Sequence, residues 1–218
     1  MAFAPALRRF TFTTHVATSV GWIGAVLVFL ALAAIGLSSQ DEQTVRGAYL
    51  VMAPAAWLVL VPLAHAALVS GVALSLGTPW GLIRHYWVAL KLVITAFSTL
   101  ILLIYMNTFR QMAGLAADPV VELGLVRNPS PLLHAILALV LLLAATLLAI
   151  YKPFGMTPYG ARQQMRVRPG APGLASAPVQ AIAAGKPRRW EYLLWIVGLA
   201  ILALIIVSHL LGSGTHGH

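Results

Sequence analysis

The sequence predicts an all-α fold: a polytopic membrane helical bundle, with a four-helix core and an appended fifth transmembrane helix. Three observations carry this. The 218 residues are 60% hydrophobic and only 9% charged, against about 25% charged in an ordinary soluble domain. The apolar residues fall in five long runs, near 11–37, 48–76, 85–107, 131–151 and 191–211. A hydrocarbon core of about 30 Å takes about 20 helical residues to cross, so every run is long enough. None of them alternates with period two, and backbone in lipid must satisfy its own hydrogen bonds, so helices rather than strands are expected.

The first run follows Arg8 and Arg9 and contains Ala31-Leu32-Ala33, which resembles a signal-cleavage site. At roughly 27 apolar residues it exceeds the 7–15 of a signal core, so a retained helix is expected. The second run carries Pro54, Pro62 and Gly71, all tolerated in membrane helices, where small residues also permit close approach. The third begins near His85 and the fourth near Pro131. Residues 1–151 thus form a four-helix transmembrane core. Residues 152–190 are rich in Pro, Gly and Ala, with seven basic residues and no acid, and read as a flexible cytoplasmic linker. Residues 191–218 supply the fifth helix and a short tail containing histidines.

The remaining charges set the orientation. With the N-terminus inside, ten Lys and Arg side chains fall on the inner side and only Arg46, Arg110 and Arg127 on the outer. That bias predicts N-terminus in and C-terminus out. Trp80, Tyr86, Trp87, Tyr151, Trp190 and Tyr192 then form an inner aromatic belt, with Tyr49 and Tyr105 near the outer surface. The net charge of +9 lies between apolar spans and does not read as a nucleic-acid surface. The expected partners are the lipid bilayer and, through the basic linker, anionic lipid headgroups. A homo-oligomer is compatible with the pattern.

Ionisable groups within membrane spans are rare and mark function. Thr11, His15, Thr18 and Trp22 recur at i, i+4, i+7 and i+11 on the first helix, one stripe of a helix. His65 belongs to the inner half of the second helix. Trp87, Lys91, Thr95, Ser98 and Tyr105 share a face of the third. His15, His65 and Lys91 therefore occupy one leaflet, where three helices could bring them together. Lys91 could instead snorkel to the headgroups, and a lone histidine could serve only helix packing. In the outer half, His134 and His209 lie near the level of Met52, Met106 and Met112, and imidazole with thioether suits copper(I). The absence of cysteine excludes disulfides and thiolate sites. A phosphate-cradling glycine loop, a His-Glu-x-x-His zinc motif and an intramembrane carboxylate pair are also absent from the sequence.

The segment "HVATSVGWIG", with His15, Trp22 and Gly24, resembles the first helix of the bacterial copper-resistance CopD family and of the HemJ-type protoporphyrinogen oxidases. "SGVALSLGTPWG", then "HYWVALKLV", then Asn107 and Arg110, resembles the second and third helices of CopD, through Thr78, Pro79, Trp80, Gly81, Lys91 and Leu92. Residues 10–150 look closest to an uncharacterised family of bacterial integral membrane proteins related to both. The resemblance implies location in the bacterial inner membrane. From the HemJ-type side it implies haem b, with His15 and Lys91 matching an essential histidine and lysine. From the CopD side it implies copper uptake. The chain departs from the HemJ-type pattern at Tyr105-Met106, where those proteins tend to show Tyr-His, and in its extra helix.

Three functions are open as alternatives. A haem b protein would use His15 as axial ligand, Trp22 beside it, and His65 or Lys91 opposite or on a propionate. A copper protein would use His134, His209, Met52 and Met106. A non-catalytic membrane protein would use its polar residues only to hold helices together.

Overall fold

The computed structural model describes residues 3–78, 81–152 and 155–167. Among these the regular structure is helical, apart from one isolated antiparallel bridge between His85 and Met156. Helix α1 is Pro5–Ser38, α2 is Glu42–Leu76, α3 is Tyr86–Ala117, α4 is Ser130–Tyr151 and α5 is Pro158–Val167. The first four are long and apolar enough to cross a membrane, the fourth counted together with the short turn Leu123–Val126 before it. This is the pattern of a multi-pass membrane protein. The expected fifth span at 191–211, with His209, Trp190 and Tyr192, lies outside the described residues.

Proline starts three of these helices, at Pro5, within the first two positions of α4, and at Pro158. Its fixed φ suits the first turn, where an N–H would have no partner. Chain neighbours are neighbours in space: α1 and α3 each pack on both α2 and α4, and stand on opposite corners of an up-down bundle. Short connections produce that order. The bundle has a proximal end, where α1 begins, and a distal end, where α1 finishes.

Helix α2 is not uniform. Ala56–Leu60 forms a π turn, in which the Val61 N–H reaches back to the Ala56 carbonyl. Pro62 explains its place: the ring has no N–H for the Leu58 carbonyl and would collide with it in a regular α-helix. The wider turn absorbs that conflict.

Side-chain size divides the bundle into two halves. The distal half is filled by Phe29, Tyr49, Met52, Met106 and Phe109, all buried. Phe29 meets Phe109 edge to face at 5.4 Å between centroids, across the diagonal from α1 to α3. The proximal half offers Ala64, Ala67, Ser70 and Thr95 at its buried positions, with Gly71 beside them. Small side chains cannot fill the space between four helices, and a groove remains there.

Two arginines close the distal end. The last carbonyls of a helix have no partner of their own. Arg46 donates to Asp118 O at 2.8 Å and Val121 O at 2.7 Å beyond the end of α3, and pairs with Glu42 at 2.8 Å. Arg127 donates to Leu37 O and Ser39 O at 2.5 Å, at the end of α1. Arg110 stands over the Trp57 ring, 6.0 Å from its centroid. The three outer basic residues, which in the sequence are only topology signals, are thus tied to protein groups. Tyr49 and Tyr105 are core residues rather than members of an interfacial belt. Tyr49 Oη donates to Asn128 O at 3.0 Å and accepts its N–H at 2.9 Å; Tyr105 Oη donates to Ser130 Oγ at 2.8 Å. With their hydroxyls satisfied by protein, the rings can be buried. Tyr86 and Tyr151 are exposed at the proximal end.

At that proximal end, a helix stands inside the stretch read as a linker. Thr157 Oγ1 accepts the Gly160 N–H at 3.1 Å, an N-cap for α5, and the Thr157 N–H donates to Arg84 O at 2.8 Å. Arg84 also donates to Gln163. On the other side, the Phe3 N–H donates to Gly77 O at 3.0 Å. The loop between α2 and α3, which turns through left-handed Gly81 (φ 63°), is held by both segments.

Candidate functional site

The groove in the proximal half has a volume of about 430 Å³ and is lined from all four long helices. Its polar wall is built around His15. On α1, the imidazole Nδ1 lies 3.1 Å from Ala67 O and 3.2 Å from Ser70 Oγ of α2. Ala67 O can only accept, which makes Nδ1 the protonated nitrogen. Nε2 is then the lone-pair nitrogen, and Lys91 Nζ on α3 donates to it at 3.2 Å. Only a long stem could make this contact, because α1 and α3 are diagonal. Lys91 therefore points into the bundle, where the sequence leaves snorkelling open.

Gly71 makes room for the ring. A Cβ built there would lie 3.0 Å from His15 Cε1, tighter than most real Cβ contacts, so the ring would have to give by a few tenths of an ångström. Sequence reasoning missed Ser70 and Gly71 as partners of His15. The signal that could have found them is the run of small residues Ala64, Ala67, Ser70 and Gly71, at helical spacing on one side of α2.

The threonines of the expected polar stripes are satisfied within their own helices. Thr11 donates to Leu7 O at 2.9 Å, Thr18 to Thr14 O at 2.8 Å and Thr95 to Lys91 O at 2.8 Å. Such bonds to i−4 carbonyls are the usual recourse of a mid-helix hydroxyl. His65 does not join His15. It is exposed on the outside of α2, its Nδ1 2.8 Å from Val61 O of its own turn. It shares a height with Ala64 and Ala67 but points away from the bundle. Trp22 is buried and lines a separate, nearly apolar distal cavity of about 80 Å³, with Phe29, Ser98, Tyr105 and His134.

The residues expected to hold copper have packing roles where they are described. Met52 and Met106 are fully buried among Val45, Tyr49 and Phe109. His134 stacks on Tyr105 with 4.1 Å between ring centroids, its Nδ1 2.9 Å from Ser130 O. His209 lies outside the described residues. Among the described residues, no three His, Cys, Asp or Glu side chains are grouped to hold a metal ion.

His15 and Lys91 together offer an imidazole held at Nδ1, a lysine amine group beside Nε2 and an adjacent space within four apolar helices. Such a wall can ligate a metal centre through Nε2, or hold an anion on the ammonium. No family model, curated protein or solved structure matches the chain.

Proposed function

We propose that this is a multi-pass protein of the bacterial inner membrane, its proximal end facing the cytoplasm, and that its groove binds haem b through His15. The observation that carries the reading is the orientation of that imidazole. With Nδ1–H held by Ala67 O, Nε2 is directed to the groove, the arrangement that second-sphere bonds give to ligating histidines. The groove volume of about 430 Å³ and the apolar residues around it suit a flat, lipid-soluble molecule. The resemblance of His15 and Lys91 to the HemJ-type pair points the same way.

The chain's own residues have distinct tasks in this reading. Ala67 and Ser70 fix the tautomer and plane of the imidazole. Lys91 donates to the Nε2 lone pair, and would pair with a propionate if haem were held there. The Gly71 backbone leaves the ring room to keep its plane. Bound haem would supply one-electron redox chemistry, and His15 and the apolar surroundings would be the groups to hold and tune it. The copper alternative rests on His134, Met52 and Met106, which pack in the distal core and bring no comparable support. A purely structural role suits the threonines, but it leaves the groove unexplained.

The test is the visible absorption spectrum of protein purified in detergent from haem-replete cells, oxidised and then dithionite-reduced. Wild type is expected to show a Soret band that shifts on reduction, and His15→Ala to lose it. Lys91→Met is expected to keep the band positions with affinity reduced about 10- to 100-fold, as loss of a charge-assisted contact implies. A featureless wild-type spectrum overturns the reading.

A further inference from the structure

We infer that the groove opens sideways into the proximal leaflet, between α1 and α4, and that its occupant is an amphiphile with an acidic head drawn from the lipid phase. The inference rests on the groove assigned to haem and deepens that reading by naming the route and the chemical class.

The mouth can be located from exposure along the walls. Distally, Trp22, Val26 and Phe29 of α1 and Ala135 and Leu141 of α4 line the small cavity and are all buried. Of the groove's lining residues, Phe12, Val16 and Val20 on α1 and Ile150 on α4 are exposed. The three on α1 are spaced i, i+4, i+8, a single stripe along the helix edge. All four are apolar, as a rim facing hydrocarbon requires. The polar groups, His15, Ser19, Lys91 and Thr146, are less exposed and lie behind them. The α2–α3 loop, which joins groove-lining Ser75 to groove-lining Val88, is tied down by Phe3 on one side and by Thr157 and Gln163 on the other. The base of the groove is therefore the bonded end, and the side facing lipid is the open one.

Charge gives the class of occupant. The described acids, Asp41, Glu42, Asp118 and Glu122, all sit at the distal end, and Arg46–Glu42 is the only salt bridge among the described residues. Lys91 thus has a hydrogen-bond acceptor in His15 but no carboxylate from the described chain. An ammonium within apolar helices is stabilised by an anion, and here the occupant is the source of it. A molecule with a carboxylate and a hydrocarbon body satisfies the ammonium and the rim together.

The chain contains no cysteine, so single-cysteine nitroxides can be placed without background. Ser19→Cys and Thr146→Cys put labels on the two walls behind the rim. In vesicles, both labels are expected to collide with oxygen and not with a water-soluble nickel chelate. Oleic acid added to the membrane should reduce the oxygen collisions, oleyl alcohol should not, and Lys91→Met should raise the oleate needed about tenfold. Collision with the nickel chelate, or with neither reagent, overturns the sideways opening. Equal effects of acid and alcohol overturn the acidic head. If wild type shows no Soret band while these results hold, only the haem reading falls. If haem binds while the labels meet the nickel chelate, only this inference falls.

Discussion

Lys91 Nζ and His15 Nε2 lie 3.2 Å apart, although their helices stand on opposite corners of the bundle. The lysine stem bridges the diagonal in the proximal half much as Phe29 and Phe109 bridge it in the distal half. One crossing is a fixed aromatic contact; the other can be broken by rotating a stem. The proximal crossing is thus a single polar contact, and the distal one an aromatic packing contact.

This pair fixes a protonation pattern that can be read directly. Nitrogen NMR of selectively labelled His15 is expected to show Nδ1 protonated and Nε2 bare in wild type. In Lys91→Met, Nδ1 should stay protonated, because Ala67 O still accepts from it, while the Nε2 resonance moves as its donor disappears. A proton on Nε2 in wild type would contradict the geometry.

Gly71 is the seat of the ring. Gly71→Ala brings a Cβ to 3.0 Å from His15 Cε1, so the imidazole must shift by a few tenths of an ångström. The expected cost is about 1 kcal/mol, the low end for overpacking, since the groove gives the ring somewhere to go. Thermal unfolding in detergent measures it, and the same variant should weaken haem retention more than it lowers stability. Equal retention would mean that the ring's exact seat is immaterial.

Arg127 carries the distal end of α1. Arg127→Ala removes the donors to Leu37 O and Ser39 O and is expected to destabilise by about 1–3 kcal/mol. Arg127→Lys should restore only part, because one ammonium does not reproduce a planar fork. The denaturation midpoints of the three proteins decide this, and identical midpoints would show that water satisfies those carbonyls equally well.

The start of α2 should respond to acid. Asp41 accepts the Thr44 hydroxyl at 2.5 Å and the Thr44 N–H at 2.8 Å, and these bonds hold its carboxyl below the usual range. A carboxylate with a lowered folded value contributes stability above its ordinary pKa, about 4. That contribution is lost as pH falls through the lowered folded value. Asp41→Asn keeps an acceptor without a charge. Exchange protection of the Thr44 amide should therefore fall with acid in wild type and stay flat in the variant, once intrinsic rates are removed.

Hydropathy made the spans legible but not their ends. α3 continues to Ala117, ten residues past the expected 107, because Arg46 caps the carbonyls beyond it and Met112 and Ala116 are buried in the core. The candidate site was half legible. Counting residues from a helix end gives height in the bilayer, which placed His15, His65 and Lys91 in one leaflet. It does not give azimuth, and so His65 faces outward while Lys91 faces in. The partners Ala67 and Ser70 depend on which helix lies beside α1, which no local pattern states. Likewise, the interfacial preference of tyrosine misplaced Tyr49 and Tyr105, whose hydroxyls are satisfied by Asn128 and Ser130 far along the chain.

The π turn at Ala56–Leu60 is, in effect, a one-residue insertion in a helix, and one residue is worth about 100° of phase. Everything after it on α2 is set by that offset, including the Ala67 carbonyl and the Ser70 hydroxyl that grip the imidazole. Deleting one residue would let an α turn replace the wide one with both flanks in place. Rewinding those residues as a regular α turn at unchanged chain length would instead leave Tyr49 and Met52 in register and swing the histidine's partners by about 100°. The hydrophobic distal half would fold as before, beside a proximal half whose wall had lost its keystone. The winding of that turn, more than the side chains it carries, is the property that the site depends on.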